Sequence, residues 1–133
     1  MSASSDIQHG KHCVFNLKVH LVFVTKYRRR ILNEKVMQCC ARVFSDVCAN
    51  YECTLNACNG EADHVHLIVS YPPKISIAKL VNSLKGVSSY VLRREVPSLA
   101  KKYFKKVLWS PSYFAASCGG APLEKIKQYV ENQ

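Results

Sequence analysis

Asp63-His64-Val65-His66-Leu67-Ile68-Val69-Ser70-Tyr71 is the most strand-like stretch of this 133-residue chain. Side chains alternate across a strand, so Val65, Leu67 and Val69 face one way while His64, His66 and Ile68 face the other. The first set predicts a buried sheet face. The second puts two imidazoles on one surface, where both can converge on a single cation. Pro72-Pro73 stops the strand.

Upstream, Asn59-Gly60 is a turn pair leading back to a strand over residues 53–59. From Cys13 to Val24, Phe15, Leu17, Val19, Leu21 and Phe23 alternate with Asn16, Lys18 and His20, which predicts a half-buried strand. A helix is expected between these strands, over about 33–51, with Val36, Cys40, Val43 and Val47 on one face. Downstream, Ser76 caps a second helix whose stripe is Ile77, Leu80, Val81, Leu84 and Val91; Gly86 weakens its middle and Pro97 ends it. A short helical piece over 98–105 precedes Leu108–Cys118, which has strand composition with Pro111 marking an edge or bulge. Gly119-Gly120 forms a flexible joint, and Pro122 starts a last helix.

The order β-α-β-β-α-β plus a terminal helix predicts one α+β domain over 1–133. Its sheet is expected to be antiparallel, in the manner of ferredoxin-like and RRM-like folds, with helices on one face and a C-terminal helix carrying Tyr129. Residues 1–12 are expected as a loose arm and 121–133 as a mobile helix.

Lys and Arg outnumber Asp and Glu, 19 to 9. The excess clusters in Lys26-Tyr27-Arg28-Arg29-Arg30, Arg93-Arg94 and the run from Lys101 to Lys106, an electrostatic footprint for phosphate polyanions. The seven cysteines contain no Cys-x-x-Cys pair, are odd in number and follow no secretory signal, so reduced thiols in a cytoplasmic protein are expected. No apolar run approaches the roughly 20 residues that span a bilayer, which excludes membrane insertion.

Tyr129 and Gln133, four residues apart on the last helix, lie one above the other on one face. Two histidines, an amide oxygen and a phenol make a metal-assisted nucleophilic site, and in a basic protein its target is a phosphodiester. Each half has a plainer reading. Five histidines yield roughly 0.15 His-x-His pairs by chance, and such a pair on a wet sheet face makes ordinary hydrogen bonds. Tyr129 could simply border the packing stripe of Leu123, Ile126 and Val130. A histidine-triad hydrolase would need histidine where Ile68 stands, and a cupin-type barrel would need a glutamate soon after the pair, where Leu67–Tyr71 offers none.

Several motifs recur in register: Lys26-Tyr27-Arg28-Arg29, Asp63 before His64-Val65-His66, Leu84-Lys85-Gly86-Val87-Ser88-Ser89, Leu108-Trp109 with Ser112-Tyr113-Phe114, and Lys127-Gln128-Tyr129 ending at Gln133. Together, over about 13–133, they resemble the single-tyrosine HUH transposases of bacterial and archaeal insertion sequences, which move as single-stranded DNA. The resemblance implies that His64, His66 and Gln133 hold a divalent metal, Mg²⁺ or Mn²⁺, and that Tyr129 is the nucleophile. It further implies a homodimer with sites assembled in trans, hairpin-ended single-stranded DNA as partner, a 5′-phosphotyrosine intermediate and no nucleotide cofactor. The absence of a Gly-x-x-x-x-Gly-Lys-Ser/Thr loop agrees with the last point. Arg28, Arg29, Arg30, Lys85, Arg93 and Arg94 are the expected phosphate contacts, with Tyr27 or Trp109 available for stacking and core packing the favoured role for Trp109.

Two other functions share these residues. One is an RRM-like module that binds single strands without chemistry; the other is a replication-initiator or relaxase-type HUH nuclease. The intact His64, His66, Tyr129 and Gln133 set argues against the first. The short chain, with its tyrosine C-terminal to the histidines, argues against the second.

Overall fold

The computed structural model describes residues 7–10, 12–102, 107–118 and 123–133. The expected Gly119-Gly120 joint, the Pro122 helix start and most of the Lys101–Lys106 run lie outside the described residues.

Four strands form the main sheet: β3 (Lys18–Val24), β4 (Thr54–Glu61), β5 (His64–Ser70) and β6 (Phe114–Ser117), ordered β4-β5-β3-β6 with every pairing antiparallel. This is the ferredoxin-like arrangement expected from the element order. β5 is central. It pairs with β3 from Val24↔His64 to Lys18↔Ser70, and with β4 from Glu61↔His64 to Thr54↔Ser70, with one irregularity between Leu55 and Ala57.

One sheet face is the core. Leu21 and Phe23 of β3 and Val65, Leu67 and Val69 of β5 are fully buried there against α1 (Glu34–Asn50) and α2 (Ile77–Glu95). Each helix starts where a short polar side chain can satisfy a free backbone amide. Asn33 accepts from the Val36 amide at 2.9 Å, and Ser76 from the Lys79 amide at 3.3 Å. Val36, Cys40, Val43 and Val47 of α1 and Leu80, Val81 and Leu84 of α2 are buried as their spacing predicted, while Val91 is half-buried at the margin. Trp109 closes this core at one end. It packs by edge against Phe23, and its indole N–H donates to the buried Ser88 hydroxyl at 2.8 Å.

α3 (Pro97–Lys102) follows α2, and α4 (Leu123–Glu131) lies on the opposite sheet face. There Ile126 and Val130 bury against Val22 and Val24, the β3 residues that point away from the main core. α4 therefore shares a face with His64 and His66.

Three expectations need correction. Residues 1–12 are not a loose arm throughout, because β1 (Gln8–His9) pairs with β2 (Val14–Phe15) in a small separate sheet. The strand expected over Cys13–Val24 is consequently broken at Asn16-Leu17. Of the Leu108–Cys118 strand only Phe114–Ser117 joins the sheet, with an isolated bridge at Thr25↔Trp109; Pro111 lacks the amide hydrogen a continuous ladder needs.

All seven cysteines are free thiols. Burial pushes the thiols of Cys53 and Cys58 up to about 11, so both stay protonated.

Two glycines test the layering. A Cβ on Gly60 would press on the His64 carbonyl and lie 2.9 Å from the Val65 Cα, whereas one on Gly86 meets nothing within 4 Å. Gly60→Ala should destabilise by about 1–3 kcal/mol, an overpacking penalty against rigid backbone. Gly86→Ala should stabilise by about 0.5–1 kcal/mol, since a mid-helix glycine carries excess unfolded-state entropy. Urea denaturation of both variants measures the two opposite shifts.

Candidate active site

β5 delivers the two histidines. Their rings stand 4.8 Å apart, His64 buried and His66 half-buried. His64 Nδ1 lies 2.8 Å from Asp63 Oδ1. An ionised carboxylate can only accept, so the imidazole proton sits on Nδ1 and Nε2 keeps its lone pair. Asp63 is itself held in place. Burial alone raises its pKa, but hydrogen bonds from His64 and Arg28 more than offset this and keep it below the ordinary value. Arg28 Nε donates to the other carboxylate oxygen at 3.3 Å.

A tight 3-10 turn at Lys26–Arg28 places that arginine. Tyr27 and Arg28 both have left-handed backbones, φ 63° and φ 52°, a conformation that costs L-residues roughly 1–2 kcal/mol each. Thr25, wholly buried, pins the turn: its hydroxyl donates to the Arg29 carbonyl at 2.7 Å, and its amide donates to the Asp63 carbonyl at 3.0 Å. The turn leaves Tyr27 71% exposed, with the Arg29 guanidinium 5.4 Å from its ring centre.

His66 has a partner on the neighbouring strand. His20 Nε2 lies 3.3 Å from His66 Nδ1, and with Nδ1 as donor His66 also presents Nε2 as a lone pair. Burial first, then the charges of His64 and His20, push the His66 pKa down to about 4, with Glu61 opposing. His66 is therefore neutral near pH 7, the form that binds metal.

Around the pair lies a cleft of about 240 Å³ lined by Arg28, Arg30, Glu61, Asp63, His64 and His66, and closed by Ile126, Lys127, Val130 and Glu131 of α4. Two imidazole nitrogens, a carboxylate and two guanidinium groups meet there. Such a donor set can hold a divalent cation and a phosphate together.

Tyr129 and Gln133 are not among these lining residues. α4 turns them toward the loop before β6, where the Ser112 hydroxyl lies 2.7 Å from the Tyr129 phenol and donates to Gln133 Oε1, also at 2.7 Å. Ser110 donates to the same amide oxygen at 3.3 Å. The Tyr129 ring packs on Phe114 with centroids 5.8 Å apart, and Phe114 in turn meets His20 edge-on at 6.5 Å. Burial pushes the phenol pKa up, partly offset by the Ser112 hydrogen bond. The structure thus gathers the histidines in one place and the tyrosine and glutamine in another.

The other expected residues divide similarly. Arg28 and Arg30 line the cleft. The Lys85 amine donates to the Ser110 carbonyl at 2.6 Å and the Ser112 carbonyl at 3.1 Å, which fixes the loop that holds Tyr129. Arg93 and Arg94 occupy the last turn of α2, where cations suit the helix C-terminus, and they do not line the cleft. Asp63, His20, Glu61 and Ser112 were not singled out by function in the sequence. Asp63 and His20 carried weak signals, adjacency to His64 and the outward phase of β3.

The profile of the family described as "Transposase IS200 like" matches residues 13–133. The chain belongs to the IS200-like transposase family. Membership implies DNA transposition, with the DNA cleavage and strand transfer it entails. The transposase is 29% identical over 128 residues to the ISDra2 transposase TnpA of Deinococcus radiodurans, covering 96% of this chain and 91% of that one. It is also 29% identical over 122 residues to the transposase for insertion sequence element IS200 of Salmonella typhimurium, covering 92% and 80%. A crystal structure of a proposed transposase from Deinococcus radiodurans R1 superposes with a TM-score of 0.87 at 30% identity, over 95% of this chain and 97% of that one. A REP-associated tyrosine transposase bound to a REP hairpin shares the fold, with a TM-score of 0.56 at 13% identity over 93% and 68%. Among the described residues, no helix is long and apolar enough to cross a membrane.

The depressed His66 pKa has a measurable consequence in metal-free protein. Between about 6.5 and about 4 the unfolded chain takes up a proton that the folded His66 refuses, so stability falls as pH drops through that window. Above it both states are neutral and the contribution is flat. Urea titrations in EDTA should show a shallower acid loss for His66→Asn than for wild type over that window.

Proposed function

We propose that the protein is a metal-dependent transposase that cleaves and rejoins single-stranded DNA at insertion-sequence ends through a 5′-phosphotyrosine intermediate. His64, His66 and Gln133 are the proposed metal ligands and Tyr129 the nucleophile. The observation that carries the reading is the orientation of the histidine pair: Asp63 and His20 engage both Nδ1 atoms, which leaves the two Nε2 nitrogens available to a cation.

A bound Mg²⁺ or Mn²⁺ would polarise the scissile phosphate and stabilise the departing oxyanion. The rest is the work of side chains. Arg28 and Arg30 bind the phosphate charge at the cleft. The Tyr129 phenol gives up its proton and its oxygen attacks phosphorus. The P–O3′ bond breaks, and the 3′ oxygen leaves as a hydroxyl after taking a proton. The phosphodiester is conserved as a tyrosyl ester, so resealing needs no nucleotide cofactor. Tyr129 starts from a neutral, partly buried phenol on Ser112, and it must leave that hydroxyl before it can attack.

Hairpin recognition is carried over from the structural relative solved with a REP hairpin. We also propose a homodimer in which the helix of one protomer completes the histidine site of the other. Two observations support it: Tyr129 does not line the cleft of its own chain, and its phenol lies on the Ser112 hydroxyl of the loop before β6.

With labelled single-stranded DNA from the element ends plus Mg²⁺ or Mn²⁺, wild type should form a covalent adduct. Tyr129→Phe, which removes only the nucleophilic oxygen, should abolish the adduct while hairpin binding persists. Persistent adduct would identify another nucleophile. His64→Ala and His66→Ala should lose metal-dependent cleavage yet keep salt-sensitive DNA affinity. Mixed dimers of a His64→Ala/His66→Ala protomer with a Tyr129→Phe protomer have one whole site only if helices cross. They should recover cleavage that neither mutant shows alone; purified heterodimers without cleavage would place each helix on its own subunit.

A further inference from the structure

The two imidazoles are a sparse site on their own, and the carboxamide expected to join them is engaged elsewhere, accepting hydrogen bonds from Ser110 and Ser112. The sheet register supplies another donor. Glu61, the last residue of β4, is the direct partner of His64, so its side chain rises from the face that carries both histidines. Donor atoms of Glu61, Asp63 and His64 all lie within 4.8 Å of one another, and they are the one such cluster among the described residues. Asp63 is committed, with one oxygen on His64 Nδ1 and the other on Arg28. Glu61 is exposed and lines the same cleft as His64 and His66.

We infer that Glu61 is a carboxylate ligand of the divalent cation, making with His64 and His66 a three-donor face built entirely by β4 and β5. This rests on the histidine pair being the metal site. Two ligands about 2.1 Å from one ion stand roughly 3–4 Å apart. An exposed glutamate covers the small remaining gap by changing rotamer. The chemistry favours it as well. Mg²⁺ and Mn²⁺ take oxygen ligands, and a carboxylate adds a negative charge that two neutral imidazoles and a carboxamide lack. Three ligands from the sheet would leave positions for the Gln133 carbonyl, phosphate oxygens and water. The cation then loads on the sheet while Tyr129 and Gln133 remain on Ser112, and arrival of the tyrosine helix becomes a separate, later event.

The test uses metal-stripped, DNA-free, full-length protein titrated with Mn²⁺, with free Mn²⁺ read from its EPR signal. Wild type should bind one ion. Glu61→Gln, an exposed and nearly isosteric change, should weaken binding by roughly tenfold or more. Lys79→Ala, an exposed change on α2 away from the cleft, should leave binding unchanged, and His64→Ala should abolish it. Wild-type affinity in Glu61→Gln, with His64→Ala inert, would overturn the role of Glu61 and leave the histidine site standing. Wild-type affinity in His64→Ala would overturn the histidine site itself.

Discussion

The register of β5 between β3 and β4 is the constraint on which both halves of the molecule depend. With Val65, Leu67 and Val69 fully buried, that register commits His64 and His66 to the opposite face. A slip of one residue would put imidazoles among α1 and α2 and aliphatic side chains in the cleft, so pairing and chemistry are selected together. Gly60 guards the same register from the edge. It packs flush on the His64–Val65 backbone, where no side chain fits. The core thus does more than stabilise: it aims the site.

A second layer of precision comes from the polar groups where β3 and β5 end. Thr25, Arg28, Asp63 and His64 form a continuous hydrogen-bonded path from a strained turn to an imidazole. Strain of that kind persists only where its surroundings over-determine it. Here the buried Thr25 hydroxyl and the Asp63 carboxylate do so. The consequence is an arginine that both holds the carboxylate partner of His64 and lines the cleft. Replacing it with lysine would keep the charge and lose the planar fork.

Much of this was legible in the sequence, and the boundary is instructive. Period-two alternation revealed β3 and β5, period-3.6 stripes revealed α1 and α2, and Ser76 marked the start of α2, because these signals are local. Pairing is not local. That Glu61 faces His64, or that His20 reaches His66 from the next strand, follows only once the register is known. The loop before β6 was misjudged for a similar reason: strand composition over Leu108–Cys118 could not reveal that the carbonyls of Ser110 and Ser112 satisfy a lysine amine rather than a ladder. Lys85 was expected as a phosphate contact. Burial lowers its pKa, and its position on two carbonyls accounts for that burial without any ligand.

The Ser112 hydroxyl gives the tyrosine helix a modest hold. One oxygen serves both the phenol and the carboxamide, each at 2.7 Å, and net hydrogen bonds of this type contribute about 1 kcal/mol apiece. The apolar anchor is also small, Ile126 and Val130 against Val22 and Val24, whereas α1 and α2 are rooted in the main core. α4 is therefore the element whose position can be exchanged at least cost. With the proposed metal donors on the sheet strands and the proposed nucleophile on a weakly held helix, two requirements are separated. In the proposed mechanism the cation and phosphate would need fixed geometry. The tyrosine, once esterified to one DNA end, would have to carry that end to another, and a rigidly packed helix could not.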